Sequence, residues 1–200
     1  MFALVESGSI TQMPKGNKGI QIGDIKYPAA IYTLWNEAER NAIGIYTIEI
    51  DETNRKDEEW YTNTNITYAF GSGKVTGTYG TATAKAIADS TYTSQDKTDG
   101  LIPSDKDVGD LKTEGLKTIK KRIIDNQCAG LLAPSDWRVV KATETGGTMD
   151  SGWKTWRASV STKCNSMQTQ IDNASDVDAL AALFTYTDGS RPLGEFPVKE

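Results

Sequence analysis

The stretch from Leu131 to Leu183 constrains the fold most, because it carries two arms of helical spacing separated by a pair of glycines. Apolar residues recur every three or four positions in each arm, as they do on the buried face of a helix. A Pro-Ser-Asp start at 134–136 and the break at 146–147 delimit the arms. The stripes comprise Leu131, Leu132, Trp137 and Val140 in the first arm, and Trp153, Trp156, Val160, Cys164, Met167 and Ile171 in the second. This pattern predicts a helical hairpin.

The N-terminal part of the chain alternates apolar and polar residues instead, which is typical of strands. Glycine-containing turns at 6–9 and 23–24 divide its beginning into short hairpins, and another hairpin is predicted to turn at 71–73. Strands joined by such short turns run antiparallel, so we expect an antiparallel β-meander.

One short helix is predicted within the meander. Asn36 followed by Glu39 is a capping-box pattern, and Gly44 fits the position just after a helix end. The sequence therefore predicts a helix over 36–43 and a strand over 45–50.

The middle of the chain is acidic. Residues 93–110 carry five aspartates against two lysines and are punctuated by glycine and proline, which is typical of a linker. We expect an alanine-rich helix at 83–90 before it, a long helix at 111–132 after it, and a last short helix at 176–184.

Together these patterns predict an α+β fold with an N-terminal antiparallel β-meander and short helix, then a C-terminal helical hairpin domain. The predicted parts are a β-rich domain at 1–92, an acidic linker at 93–107, the hairpin domain at 108–185 and an extended tail at 186–200.

The amino-acid composition limits the chemistry that we expect of this chain. The chain has no histidine, which removes the commonest general base and metal ligand. Its net charge of −5 disfavours binding to nucleic acid. Cys128 and Cys164 are too few for a disulfide scaffold or a zinc site, and both fall on predicted buried stripes. We expect no metal, no cofactor and no covalent chemistry.

Two apparent chemical motifs are incomplete. The Gly-Ser-Gly-Lys run at 71–74 lacks the upstream glycine and the Ser or Thr that complete a phosphate loop, and it joins two predicted strands. The carboxylate pairs Asp57 with Glu59 and Asp176 with Asp178 are expected on exposed turns or helix starts, where burial cannot raise a pKa for acid catalysis.

Two segments resemble a known group of proteins. LLAPSDW at 131–137 followed by WKTWRASV at 153–160 is similar to the C-terminal region of tail assembly chaperones and tail fibre assembly proteins of tailed bacteriophages. The module from Trp35 to Tyr46, with its capped acidic helix, glycine and strand, resembles the N-terminal part of the same proteins. The resemblance implies a non-enzymatic protein that acts through protein–protein contacts, with phage tail or tail fibre proteins as partners.

The candidate partner-binding residues come from the hairpin and the tail. Tryptophan and arginine dominate interface energetics, and apolar side chains in an extended tail need a groove or a sheet edge to cover them. The candidates are Trp137, Arg138, Trp153, Trp156, Arg157, Leu193, Phe196 and Val198. The alternative is that the tryptophans simply hold the hairpin together.

Other functions and locations stay open at this point. The chain could be a permanent structural component of the virion tail, such as a fibre or baseplate adaptor in an oligomeric assembly. A glycan-binding or receptor-binding module built on the aromatic hairpin at 60–79 is a third option. The longest apolar runs are far shorter than the roughly 20 residues that cross a membrane. The first residues do not resemble a signal peptide, so we expect the host bacterial cytoplasm during assembly, or the virion tail.

Overall fold

The computed structural model describes residues 1–199 and divides the chain into two compact units, Met1–Thr83 and a second unit that begins at Ala84. The fold is α+β, as predicted: the large sheet lies in the first unit and the long helices lie in the second. The division comes earlier than the predicted linker at 93–107. Those residues are folded into the second unit, so the predicted boundary is corrected to the Thr83–Ala84 bond.

The first unit contains ten complete elements. In chain order they are β1 (Phe2–Glu6), β2 (Ser9–Gln12), β3 (Ile20–Ile22), β4 (Ile25–Tyr27), α1 (Ile31–Leu34), α2 (Glu37–Ala42), β5 (Ile45–Asp51), β6 (Tyr61–Thr62), β7 (Ile66–Gly71) and β8 (Lys74–Tyr79), and the short β9 (Thr83–Ala84) lies where the chain passes to the second unit.

Five of these strands form one sheet in the order β2-β1-β5-β8-β7. Neighbouring strands are antiparallel except β5 and β8, which run parallel with Ile48 opposite Val75. The predicted antiparallel meander is wrong at this pair, because the chain forms the outer strand β7 first and then turns back to place β8 beside β5. The edge strands β2 and β7 approach within 8 Å between Cα atoms, so the sheet curls.

The sheet buries apolar side chains on both faces, since adjacent residues such as Ala3 and Leu4 point in opposite directions. Each fully buried Leu or Ile contributes roughly 1.5–3 kcal/mol relative to an exposed one. The clusters comprise Leu4, Ile20, Ile31, Tyr32 and Ile45 on one face, and Ala3, Ile48 and Val75 on the other.

The predicted capping box is confirmed at the start of α2. The Glu39 backbone N–H donates to the Asn36 side chain at 3.0 Å, and the Asn36 N–H donates to the Glu39 carboxylate at 2.8 Å. Gly44 follows the helix with φ +81°, and a Cβ there would lie 2.7 Å from the Val5 carbonyl oxygen. This glycine is therefore required both by its backbone conformation and by the close approach of β1.

The second unit is built around helices. Its elements are β10 (Ser90–Thr91), α3 (Ser94–Thr98), β11 (Leu111–Thr113), α4 (Leu116–Leu132), a 3-10 turn (Ala133–Ser135), α5 (Asp136–Glu144), α6 (Ser151–Asn173) and α7 (Val177–Phe184).

The predicted helix at 83–90 is wrong, because backbone and side-chain acceptors of this segment bond to another element. The Ala86 carbonyl accepts from the Leu116 N–H at 2.9 Å, and the Asp89 carboxylate accepts from the Gly115 N–H at 2.7 Å. Both donors belong to the start of α4, whose first amides have no partners within the helix. The long helix consequently begins at Leu116, and 111–113 forms β11 instead.

The long helices α4 and α6 pack on each other and form the main core of the second unit. The predicted hairpin partner of α6, the arm at 131–144, is split into the end of α4, the 3-10 turn and α5. The buried stripe of α6 was predicted correctly at Val160, Cys164, Met167 and Ile171, whereas Trp153 and Trp156 of the same predicted stripe are only half-buried. The buried apolar residues of α4 are Leu116, Ile124 and Cys128.

Candidate protein-docking surface

The helix α5 is the least buried helix of the second unit. None of the nine described residues of α5 is buried. Trp137 and Val140 are each 54% exposed and Val139 is 42% exposed. A helix of this length is marginal in water by itself, so contacts with the rest of the unit must hold it in place.

Arg157 of α6 provides those contacts. Its guanidinium donates to the Leu132 carbonyl oxygen at 2.8 Å and to the buried Ser135 hydroxyl, and it pairs with the Asp136 carboxylate at 2.7 Å. These bonds fix the 3-10 turn and the first residue of α5 to α6. Arg157 was predicted to bind a partner, but its hydrogen bonds and charge are used within its own unit.

Arg138 lies between two indole rings. Its guanidinium carbon is 4.5 Å from the Trp137 ring centre and 4.6 Å from the Trp153 ring centre. Within residues 1–199 this guanidinium has no carboxylate partner. Trp153 also meets Trp156 edge to face, with ring centres 5.6 Å apart. The stack holds α5 against the start of α6 and leaves the outer face of Trp137 exposed to solvent.

The chain between α5 and α6 forms two open depressions, of about 200 and 380 Å³. Both are lined by Ala142, by Met149 and by the turn at 147–148. Arg138 and Lys141 line the smaller one, and Val139, Lys154 and Arg157 line the larger one. We call α5, residues 145–150 and the first turn of α6 the α5 surface.

The tail does not behave as an independent docking arm. Leu193 is fully buried, its N–H donates to the Leu183 carbonyl at 3.1 Å, and its carbonyl accepts from the Lys163 ammonium at 2.8 Å. The Trp156 indole N–H donates to the Pro197 carbonyl at 3.0 Å. Leu193 is therefore not available to bind a partner, contrary to the prediction. The hydrogen bond from Trp156 attaches the tail to α6.

The remaining tail candidates differ in exposure. Phe196 is half-buried, whereas Val198 is 85% exposed. Lys199 lies with its ammonium 5.4 Å from the Trp153 ring centre, which brings the end of the tail beside the α5 surface. Of the eight predicted residues, Trp137, Arg138 and Trp153 meet at one place, and the exposed Val198 lines a third depression with Ser151, Gly152 and Trp156 at the start of α6.

Lys141, Met149 and Lys154 belong to this surface but were not among the predicted partner-binding residues. Arg138 and Lys141 are three residues apart on a helix and therefore share a face, which was a usable signal. Met149 and Lys154 join them only through the path of residues 145–150, which the sequence does not specify.

The carboxylates considered as candidate catalytic groups make structural hydrogen bonds to backbone N–H groups. The Asp57 carboxylate accepts from the Glu59 N–H at 2.8 Å, and the Asp176 carboxylate caps α7 through the Ala179 N–H at 2.8 Å. That backbone hydrogen bond lowers the pKa of Asp176, which is the opposite of what a general acid needs. The described part of the chain holds no group of three or more His, Cys, Asp or Glu side chains that could bind a metal ion.

The aromatic hairpin that suggested glycan binding has no fully exposed ring among its described residues, although Tyr68 and Tyr79 are only half-buried. Trp60 and Tyr61 are buried, and Phe70 packs on Tyr46 with ring centres 4.8 Å apart. A sugar would need exposed ring faces, so these residues offer little support for that option. Every helix within residues 1–199 is too short or too polar to cross a membrane.

Comparisons of the chain with protein-family models, with curated proteins and with solved structures returned no match.

Proposed function

We propose that this chain is a non-enzymatic tail-module protein of a tailed bacteriophage, acting through protein–protein contacts as a tail or tail fibre assembly chaperone or accessory. The observation that carries the proposal is the exposed face of α5, with Trp137 and Val140 each 54% exposed. Trp137 is the last residue of the segment LLAPSDW, which resembles part of such proteins, and Val140 follows three residues later.

Covering the exposed face of α5 with a partner would be energetically favourable. An exposed tryptophan next to two exposed valines keeps apolar area in water that a partner would remove, at about 25 cal/mol per Å². Tryptophan and arginine are also the residues that most often dominate binding energy at interfaces. Trp137 is 54% exposed, so more than half of its side chain is available for binding.

A co-purification experiment tests the proposal. The double variant Trp137→Ala with Val140→Ala should lose binding to the tail or tail fibre proteins encoded with this chain, while circular dichroism shows that it stays folded. The matched control is Ile25→Ala with Leu34→Ala, two apolar residues of the first unit that are 58% and 79% exposed. This control should bind like the unaltered protein. Full binding by the α5 variant would reject the proposed surface, and failure of the unaltered protein to bind any tail protein would reject the function.

Mass spectrometry of purified particles separates two versions of the proposal. An assembly chaperone is absent from mature particles, whereas a permanent tail component is present in a fixed ratio to the other tail proteins. Either result is compatible with binding through α5.

A further inference from the structure

The cations of the α5 surface fall into two groups, one paired with a carboxylate of the chain and one not. Arg157 is paired with Asp136 at 2.7 Å. Asp150 is the acidic side chain among the residues of 1–199 that line the two depressions. Its carboxylate accepts from the Gly152 and Trp153 N–H groups at 3.1 and 3.2 Å. Its charge is therefore largely directed at the start of α6, where a helix favours an anion.

The other cations have no such partners. For Arg138, Lys141 and Lys154, the structure of residues 1–199 shows no carboxylate within ion-pair distance. The chain as a whole carries a net charge of −5. The residues that line the two depressions include four cations, Arg138, Lys141, Lys154 and Arg157, and the carboxylate of Asp150, whereas the exposed Glu144 of α5 is in neither lining. This local excess of positive charge attracts the opposite sign, and over distances shorter than about 8 Å the attraction is not fully screened at physiological salt.

The larger depression adds an apolar floor to this positive rim. Val139, Ala142 and Met149 line it, and its volume is about 380 Å³. An unbranched methionine adapts to different side chains, so it suits a site that accepts an apolar group. A ligand that satisfies both features must present an apolar side chain and carboxylates within a few residues of each other.

We propose that the α5 surface binds an acidic peptide segment of the partner protein, with one apolar side chain in the larger depression and carboxylates beside Arg138, Lys141 and Lys154. This inference rests on the proposed function, because it specifies the chemistry of the partner. A peptide is favoured over a nucleic acid, since the site has an apolar floor and no extended row of cations to follow a phosphate backbone.

The test measures binding of the full chain to a short dye-labelled peptide of Asp and Glu with interspersed Leu and Phe, by fluorescence anisotropy. The matched probes are the same peptide with Asn and Gln in place of the acids, and an oligo-deoxythymidine of equal charge. The acidic peptide should bind, and its binding should weaken as salt rises. The neutral peptide should bind about tenfold or more weakly, because it lacks the carboxylates that Arg138, Lys141 and Lys154 attract.

Charge reversal locates the site. The double variant Lys141→Glu with Lys154→Glu should weaken binding of the acidic peptide by about tenfold or more. The control, Lys97→Glu with Lys106→Glu, changes the net charge by the same amount at exposed positions and should weaken this binding far less. Equal effects of the two pairs would assign binding to overall charge and overturn the site. Equal or tighter binding of the oligonucleotide would overturn the peptide assignment.

Failure here differs from failure of the proposed function. If the chain co-purifies with a tail protein through Trp137 and Val140 but does not bind the acidic peptide, the docking function stands. The proposal that the partner presents an acidic segment is then wrong.

Discussion

The ammonium group of Lys112 on β11 lies 2.5 Å from a carboxylate oxygen of Asp96 on α3. The other oxygen of this carboxylate accepts from the N–H and the hydroxyl of Thr93, both at 2.8 Å. Asp96 is only 7% exposed, so an acidic segment that looks like a linker is organised around a buried carboxylate. The hydrogen bond from Lys112, followed by those from Thr93, lowers the pKa of Asp96 to about 2.

This carboxylate makes the second unit sensitive to acid. Because the folded-state pKa is below the ordinary value of 3.8, the stabilisation is present above that value and is lost as the pH falls through about 2. We expect Asp96→Asn to lower the urea midpoint at pH 7 and to flatten its decline between about pH 4 and 2. Asp105→Asn, at an exposed aspartate of the same segment, is the control and should leave the pH profile unchanged.

Leu193 should behave as a core residue despite its place in the tail. It is fully buried, so Leu193→Ala should cost about 2–5 kcal/mol in free energy of unfolding. Val198→Ala removes a side chain that is 85% exposed and should cost less than about 0.5 kcal/mol. Chemical denaturation of the two variants makes the comparison, and equal small losses would show that the tail is not packed as described.

Cys164 should be inert in the folded protein. Burial, reinforced by the neighbouring Cys128 thiol and by Asp125, raises its pKa from 9.0 to about 12. Since the thiolate is the reactive form, a thiol reagent at pH 8 should label Cys164 slowly before unfolding and rapidly in urea. The raised folded-state pKa also predicts that stability is retained below pH 9 and is lost as the pH rises towards 12. Rapid labelling of the native protein would contradict this packing.

Gly77 on β8 has no room for a side chain. A Cβ there would lie 2.8 Å from Tyr68 Cε1 and 2.9 Å from atoms of Ile50 and Ile66. We expect Gly77→Ala to destabilise the first unit by about 1–3 kcal/mol through overpacking. The matched control is Gly71→Ala, where a Cβ would meet nothing within 4 Å. If thermal unfolding of the two variants is the same, the sheet is less tightly packed there than the structure indicates.

Elements specified by neighbouring residues were predictable from the sequence. The capping box of Asn36 and Glu39 places α2, and helical spacing from Val160 to Ile171 gives the buried stripe of α6. Elements that depend on distant partners were not predictable. The 83–90 segment has helix-forming alanines, but its groups cap α4, and no local pattern reports that competition.

The candidate site divides in the same way. Trp137, Arg138 and Trp153 could be chosen from residue type, because tryptophan and arginine contribute most often to binding energy at interfaces. The roles of Arg157 and Leu193 could not, since one depends on the path of the 3-10 turn and the other on a single apolar residue in a segment without periodicity. Burial of one isolated leucine leaves no signature in the sequence around it.

The approach of β2 to β7 has a consequence for the behaviour of the protein at high concentration. Open sheet edges are the usual starting point for aggregation, because their unpaired N–H and C=O groups recruit strands from other molecules. In the five-stranded sheet the two edge strands come within 8 Å of each other between Cα atoms, which leaves little room for a foreign strand to insert there. We therefore expect few intermolecular strand pairings through these two edges where many copies of the chain are crowded together.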